Sequence, residues 1–212
     1  AQHMVRRLAQ SAAIRARLSD PDKQRRLLAI IQDDVERLNR LISDISDASR
    51  VDAEMSRADT QPLALAGLLD TLAEVYRATT EHLSFTLDLP EDDALVVEGV
   101  EGRLVQVLRN LIGNAVSFSP ANGTIHLTAA RHGRWVRVSV EDQGSGIPEG
   151  KEEAIFERFY TERPAGEKFG THSGLGLSIS RQIINAHGGR LWAENRPQGG
   201  ARFVMELIPA NL

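Results

Sequence analysis

The stretch from Phe169 to Ser178 combines residue types that could bind an anion. Three glycines precede a helical pattern of apolar residues: Gly170, Gly174 and Gly176 stand before Leu177, Ile179, Ile183 and Ile184. A chain segment without side-chain bulk therefore leads into a helix N-terminus, where backbone N–H groups lack intrahelical partners and the helix dipole favours negative charge. A polyphosphate could lie against Gly174, Leu175 and Gly176. The alternative is a helix that begins at a glycine turn without binding anything.

Two asparagines, Asn110 and Asn114, stand one helical turn apart in an apolar run that predicts a helix over residues 100–118. Asparagine is a poor helix former, so two at this spacing within an apolar run need a reason. A carboxamide oxygen can ligate Mg²⁺ while the amide NH₂ reaches a phosphate, and neither adds negative charge. A buried pair of amides satisfied by backbone groups is the alternative.

Residues 142–148, D-Q-G-S-G-I-P, directly follow a predicted strand. The carboxylate of Asp142 could accept a hydrogen bond from an exocyclic amine, and Gly144 and Gly146 would let the backbone pass close to a flat ring. A β-turn that starts with an aspartate is the alternative.

The segment I-F-E-R-F-Y at 155–160 contains three aromatic residues, and few apolar residues follow it up to His172. This pattern predicts a mobile lid with an aromatic hinge, from which Arg163 or Lys168 could reach phosphates. The alternative is a long surface loop.

The elements that must position these residues follow from the apolar periodicity. Helices are predicted over 65–81, 100–118 and 175–186, and strands over 83–89, 96–97, 125–129, 136–140, 190–195 and 201–207. Strands and helices in this proportion predict two layers, a sheet with helices on one face. The polar stretch 52–61 precedes Pro62 and predicts a linker, with a domain boundary near Asp59.

The N-terminal part of the chain predicts a helical hairpin. One helix covers 5–18, Asp20 and Pro21 suit the cap and first turn of the next, and that helix runs over 22–55. Its apolar residues alternate steps of three and four, as in a coiled coil: Leu28, Ile31, Val35, Leu38, Ile42 and Ile45. Such a hairpin predicts a four-helix dimer, and the alternative is a helix packed on its own globular domain. Residues 1–4 are interpreted as a cloning remnant.

Composition excludes several classes of function. The net charge is −4 with scattered basic residues, which disfavours nucleic acid as a partner. The absence of cysteine excludes disulfides, thiolate metal sites and thiol nucleophiles. No apolar run reaches the roughly 18 residues that a membrane span needs, so in a membrane receptor this would be a soluble part.

Four segments in order resemble the N, G1, F and G2 boxes of sensor histidine kinases: N-L-I-G-N-A at 110–115, D-Q-G-S-G-I at 142–147, I-F-E-R-F-Y at 155–160 and G-T-H-S-G-L-G-L-S at 170–178. Residues 27–50 resemble the second dimerisation helix of ChvG-type membrane sensor kinases. The resemblance implies the Bergerat (GHKL) fold, an α+β two-layer sandwich with a mixed sheet. Residues 59–212 would be the ATP-binding catalytic domain, and residues 5–58 a dimerisation hairpin.

The resemblance also implies the roles of individual residues. Asn114 and Asn110 would lie at Mg²⁺ and the phosphates, Asp142 at adenine, and the backbone of residues 174–177 around the phosphates. Further ATP contacts are implied at Gly144, Gly146, Ile147, Phe159, Tyr160, Arg163, Thr171, His172, Ser173, Gly174, Leu175, Gly176 and Leu177. Ser117 stands where many relatives carry Lys or Arg.

The implied activity is transfer of the ATP γ-phosphoryl group to a histidine of the dimerisation domain and then to a response-regulator aspartate, in the cytoplasmic portion of a homodimeric bacterial inner-membrane sensor. The family's H-E-x-x-x-P motif is absent, because no histidine here is followed by an acidic residue. We therefore expect ATP binding without self-phosphorylation of this fragment, and contact with a membrane only through segments outside it. Two alternatives are a nucleotide-binding dimeric pseudokinase and an ATPase of the same fold. Such ATPases place a carboxylate at the position of Asn110, which counts against hydrolysis.

Overall fold

The computed structural model describes residues 20–32, the single positions 35, 38, 39, 42 and 46, and residues 60–90, 95–161 and 174–210. The chain divides into two compact units, Ala1–Ser43 and Asp44–Leu212. In the first unit, helix α1 covers residues 21–32, and the described positions 35, 38, 39 and 42 are helical too. Asp20 caps this helix as predicted, because its Oδ1 accepts a hydrogen bond from the backbone N–H of Asp22 at 3.0 Å. The predicted helix over 5–18 lies outside the described residues.

Between residues 61 and 207, the described part of the second unit contains seven strands and three α-helices. Their order is β1 (Gln61–Ala64), α2 (Leu65–Thr79), β2 (Ser84–Asp88), β3 (Val96–Gly99), α3 (Glu101–Phe118), β4 (Thr124–His132), β5 (Trp135–Glu141), α4 (Gly176–Ala186), β6 (Arg190–Asn195) and β7 (Ala201–Leu207). A short 3-10 helix, Ala154–Phe156, lies between β5 and α4.

Five of the strands form one mixed sheet in the order β2-β4-β5-β7-β6. The pair β2 and β4 is parallel, and the other neighbours are antiparallel. Strands β1 and β3 form a separate antiparallel pair. The mixed sheet confirms the predicted fold class. Strand β1 was not predicted, and it begins at Gln61, the last residue of the predicted linker. Only Leu63 is buried in this four-residue strand, so its sequence carries no periodic signal.

One hydrophobic core joins the helices to the sheet. Helix α3 supplies a buried stripe of Leu104, Val107, Leu108, Leu111, Ile112 and Ala115. The adjacent strands β4 and β5 also supply buried apolar residues, Ile125, Leu127 and Ala129 in β4 and Val136, Val138 and Val140 in β5. Buried and less buried residues alternate over the first six residues of β4, as in a sheet with one face against helices, whereas the second half of β5 is buried throughout. Among the described residues, no helix has the length and apolar character of a membrane span.

Candidate functional site

Asp142 follows β5 directly, and its carboxylate is buried at the strand's end, with 2% of the residue exposed. Oδ1 accepts hydrogen bonds from the backbone N–H groups of Gly144 at 2.8 Å and Ala201 at 3.1 Å. Burial raises the pKa of Asp142 above its ordinary value, and the two backbone N–H groups and the charge of Arg196 offset that rise only in part. The strand end therefore holds a fixed acceptor with little water around it.

Arg196 supports Asp142 from the neighbouring hairpin. Its Nη1 donates a hydrogen bond to the main-chain carbonyl of Asp142, and its Nε lies 3.0 Å from Oε2 of Glu141. Oε1 of Glu141 also accepts a hydrogen bond from Nε of Arg202 at 2.7 Å. Sequence analysis did not identify these arginines, since nothing local indicates a contact across 54 positions.

The loop after Asp142 is fixed by its own packing. A Cβ atom on Gly144 would lie 2.4 Å from the carbonyl oxygen of Phe118, at the end of α3. Gly146 has φ +77°, and a Cβ there would lie 2.6 Å from Oδ1 of Asn195. Asn195 accepts a hydrogen bond from the N–H of Ile147 and donates one to its carbonyl, each at 2.7 Å. Glycine is therefore required at positions 144 and 146 by contacts within the protein itself. Asn195 holds this loop through Ile147 and was missed by sequence analysis.

Asn110 joins α3 to the N-terminus of α4 through its NH₂ group, which was predicted to reach a phosphate and is bonded to the protein here. Its Nδ2 donates to the carbonyl of Gly176 and to Oγ of Ser180, both at 3.1 Å. Asn114 lies one turn further along α3 and is half-buried. The hydrogen bonds of Nδ2 leave Oδ1 of Asn110 as the group available to a ligand.

The N-terminus of α4 begins at Gly176 with Leu175 as its N-cap residue, whose side chain makes no capping hydrogen bond. The first helical hydrogen bond runs from the N–H of Ile179 to the carbonyl of Leu175 at 2.9 Å. Gly174 has φ +70°, and a Cβ there would come within 2.8 Å of the Phe159 backbone. The backbone N–H groups of the first turn of α4 therefore have no partner within the helix, which suits an anion.

Phe159 and Gly174 hold the two described ends of the predicted lid together. The N–H of Phe159 donates to the carbonyl of Gly174 at 2.9 Å, and Phe159 has φ +66° with its side chain 62% exposed. Tyr160 follows, with its N–H directed to the carbonyl of Glu157 at 3.3 Å. The remaining predicted lid residues lie outside the described residues: Arg163, Lys168, Thr171, His172 and Ser173.

Arg181 anchors the 3-10 helix next to the lid. Its guanidinium carbon lies 3.7 Å from the centroid of the Phe156 ring, and its Nη1 lies 2.7 Å from Oε2 of Glu153. The hydrogen bond and charge of Arg181 lower the pKa of Glu153. This contact ties the aromatic segment to α4.

The described residues contain no group of three or more His, Asp or Glu side chains able to hold a metal ion. Oxygen from Asn110 and Asn114 nevertheless fits Mg²⁺, which takes few protein ligands and keeps water and phosphate oxygens around it. The donors at α4 and the buried acceptor at Asp142 fit opposite ends of a phosphorylated molecule that carries an amine. The residues present thus suit a nucleotide together with Mg²⁺.

Known protein families and solved structures resemble this chain over most of its length. Residues 99–211 match the family described as histidine kinase-, DNA gyrase B-, and HSP90-like ATPase. The sensor protein ChvG of Rhizobium meliloti (strain 1021) is 48% identical over 199 residues, which cover 88% of this chain and 34% of that protein. The chain thus spans about a third of the length of this curated relative.

Two solved structures extend the similarity. The histidine kinase ThkA in complex with the response regulator protein TrrA is 28% identical, with a TM-score of 0.73, covering 98% of this chain and 61% of that one. Full-length ShkA in complex with AMPPNP is 29% identical, with a TM-score of 0.68, covering 89% of this chain and 40% of that one.

Proposed function

Because the chain belongs to the family of histidine kinase-, DNA gyrase B- and HSP90-like ATPases and carries the ATP-binding catalytic domain of a histidine kinase, we propose that it binds Mg-ATP along helix α3. The adenine end lies at Asp142 and the phosphate end at the N-terminus of α4. The sequence-based domain boundaries, a helical segment up to residue 58 and a catalytic domain over 59–212, form part of this proposal.

The observation that carries the proposal is the arrangement of groups along α3. Asn110 contacts Gly176 at one end, and the carbonyl of Phe118 lies against Gly144 at the other. Asn114 lies between them. Eight residues of α-helix separate these ends by about 12 Å, so one elongated ligand could meet both. The solved complex of ShkA with AMPPNP, an ATP analogue, supports a nucleotide as that ligand.

Each site residue then has a chemical role. Asp142 accepts a hydrogen bond from the adenine amine, with Gly144, Gly146 and Ile147 beside the ring. The backbone of residues 174–177 donates to the phosphates, and Asn110 and Asn114 bind Mg²⁺. Mg²⁺ would neutralise charge that develops on the phosphates. The lid predicted over residues 161–172, with its aromatic hinge, would bring further contacts to the phosphates from Phe159, Tyr160, Arg163, Thr171, His172 and Ser173.

In the parent protein, the γ-phosphoryl group passes to a histidine of the dimerisation domain and then to an aspartate of a response regulator. The ChvG relative and the complex of ThkA with TrrA support this assignment. The protein contributes mainly positioning and electrostatic stabilisation. Asn110 provides no carboxylate to activate water, which disfavours simple ATP hydrolysis.

The helical unit supports a homodimer as part of the proposal. Large apolar side chains on its described positions are 44–64% exposed, namely Leu27, Leu28, Ile30, Ile31, Val35, Leu38 and Ile42. A continuous exposed apolar stripe with three- and four-residue spacing is what a helix bundle buries. We place this bundle in the cytoplasmic portion of a bacterial membrane sensor, as the similarity to sensor protein ChvG suggests.

Calorimetric titration with ATP, in Mg²⁺ and in EDTA, tests the proposed site. The wild-type protein should bind ATP more tightly with Mg²⁺. Asn114→Ala should lose on the order of tenfold in affinity with Mg²⁺ and little in EDTA, because it removes a metal ligand. Asn185→Ala, an exposed asparagine at the far end of α4, is the matched control and should behave as wild type. Failure of the wild-type protein to bind ATP under either condition would contradict the proposal.

The affinity for ATP should also fall as the pH is lowered, because of Asp142. Burial raises the pKa of Asp142 above its ordinary 3.8, so the carboxylate takes up a proton at a higher pH than an exposed aspartate does. The protonated group is a weaker acceptor, and the affinity should fall as the pH drops through the raised pKa. The folded state binds this proton more tightly than the unfolded state does. The contribution of Asp142 to the free energy of unfolding should therefore increase as the pH falls through the raised pKa, while the affinity for ATP decreases.

Titrations over about pH 4.5–8 measure this effect. Asp142→Asn cannot take up the proton and should show only the pH dependence of the ATP phosphates. Parallel pH profiles for the wild type and Asp142→Asn would exclude Asp142 as the titrating group.

A further inference from the structure

Ser180 is fully buried in α4, and its hydroxyl group both donates and accepts a hydrogen bond. It donates its hydrogen to the carbonyl of Gly176 at 2.8 Å, and its oxygen accepts a hydrogen bond from Nδ2 of Asn110 at 3.1 Å. Nδ2 of Asn110 also donates to the Gly176 carbonyl at 3.1 Å. Two acceptors on α4, neither with a hydrogen to offer, therefore face one end of the Asn110 carboxamide.

This arrangement permits one orientation of the Asn110 side chain. A reversed carboxamide would place Oδ1 about 3 Å from the Gly176 carbonyl oxygen, which cannot donate, and the Ser180 hydroxyl could donate to Oδ1 only by giving up its own hydrogen bond to that carbonyl. Nδ2 must therefore face α4, and Oδ1 must face away from it. A Cβ on Gly176 would lie 3.5 Å from Cγ of Asn110, an ordinary contact distance, so this approach does not depend on a glycine at position 176.

We infer that Ser180 is a positioning residue, which orients Asn110 so that its carbonyl oxygen is presented to the metal ion of the bound nucleotide. The inference rests on the proposed function, because it assigns Asn110 to Mg²⁺. Ser180 itself touches neither the metal nor the nucleotide. It acts by fixing in advance the side-chain rotation that a metal ligand would otherwise lose on binding.

Ser178 in the same helix provides a control that distinguishes positioning of Asn110 from a purely structural role of a buried serine. Ser178 is also buried, and its Oγ donates to the carbonyl of Leu175 at 2.8 Å, as Ser180 does to Gly176. Asn110 contacts Ser180 and has no hydrogen bond to Ser178 among the described residues. Loss of either hydroxyl removes a hydrogen bond to a helix carbonyl, but only loss of the Ser180 hydroxyl also removes one of the two hydrogen bonds that hold Asn110.

The test compares ATP affinity in Mg²⁺ with ATP affinity in EDTA by calorimetry. Ser180→Ala should reduce the ratio of the two affinities roughly fivefold, the size of one neutral hydrogen bond, while the affinity in EDTA stays within about twofold. Ser180→Thr retains the hydroxyl and should restore most of the ratio, and Ser178→Ala should leave it at the wild-type value. An unchanged ratio in Ser180→Ala, or an equal loss in Ser178→Ala, would overturn the inference.

A second measurement uses the nucleotide-free wild-type protein and needs no variant of Ser180. In ¹⁵N NMR, the side-chain NH₂ hydrogens of Asn110 should exchange with water several-fold more slowly than those of the exposed Asn185, because two acceptors hold them. Equal exchange rates would show that Asn110 is not held. A wild-type protein that binds no ATP would instead refute the proposed function, so the two failures are distinguishable.

Discussion

Replacing Asp142 with asparagine is expected to lower the affinity for ATP about 100-fold while leaving the domain folded. An asparagine oxygen can still accept hydrogen bonds from the N–H groups of Gly144 and Ala201, as Oδ1 does in the wild type. Its NH₂ group then takes the place of the other carboxylate oxygen and opposes the adenine amine. A charged acceptor becomes a donor that faces another donor, which explains the large loss.

The same substitution should change base preference, which distinguishes a direct contact from a general disturbance. Inosine triphosphate carries a carbonyl where ATP carries the amine, so the asparagine NH₂ can donate to it. Asp142→Asn should therefore bind inosine triphosphate at least as well as the wild type does, and the preference for ATP should shrink or reverse. Competition titrations with both nucleotides measure this preference.

Asp88→Asn, at the exposed end of β2, is the matched control and should change neither affinity. The melting temperature of Asp142→Asn should stay close to that of the wild type. Burial raises the pKa of Asp142, which means that the buried negative charge is itself unfavourable, so its removal should cost little stability. Parallel losses of ATP and inosine triphosphate would place the adenine amine elsewhere.

Periodic segments of the sequence predicted their elements closely. The helix predicted over 100–118 is observed as α3, Glu101–Phe118, and that predicted over 175–186 is observed as α4, Gly176–Ala186. The strand predicted over 190–195 is β6 with the same bounds. Each of these elements buries one side against a common core, so the spacing of its apolar residues follows the repeat of a helix or a strand. Strand β1 has no such spacing, because Leu63 alone of its four residues is buried.

The candidate site was predictable in its local motifs and not in the contacts that hold them. Asn110 and Asp142 stand out because an asparagine in mid-helix or an acid at a strand end is locally unusual. Ser180, Asn195 and Arg196 look ordinary in sequence, since their partners lie 48–70 positions away. Prediction of such contacts requires the tertiary packing.

Glycine roles were predicted only in part. Sequence analysis assigned Gly144 and Gly146 to close approach of a flat ring, and the structure adds a clash of any Cβ with Phe118 and Asn195. The roles of Arg163, Thr171, His172 and Ser173 stay predictions, because these residues lie outside the described ones. A lid has little apolar periodicity, so its sequence predicts a loop without predicting where each side chain lies.

The turn before β7 should be the most sensitive point of the fold to a single added methyl group. Gly199 and Gly200 both have positive φ, +92° and +85°. A Cβ on Gly200 would lie 2.1 Å from the carbonyl oxygen of Asp142 and 3.0 Å from Cα of Gln143. Both contacts are with backbone, so no side-chain rotation relieves them. A Cβ on Gly199 meets nothing within 4 Å among the described residues.

Gly200→Ala should therefore destabilise the domain by about 4 kcal/mol, from left-handed strain together with the clash, and lower Tm by about 10 °C. Gly199→Ala carries the strain alone and should cost about 1 kcal/mol, or roughly 3 °C. Thermal unfolding followed by circular dichroism compares the two. The clash also separates Asp142 from Ala201, whose backbone groups bond each other at 3.0 Å, so only Gly200→Ala should weaken ATP binding as well. Equal destabilisation by the two substitutions would mean that positive φ alone requires glycine in this turn, and that Asp142 does not depend on β7 for its position.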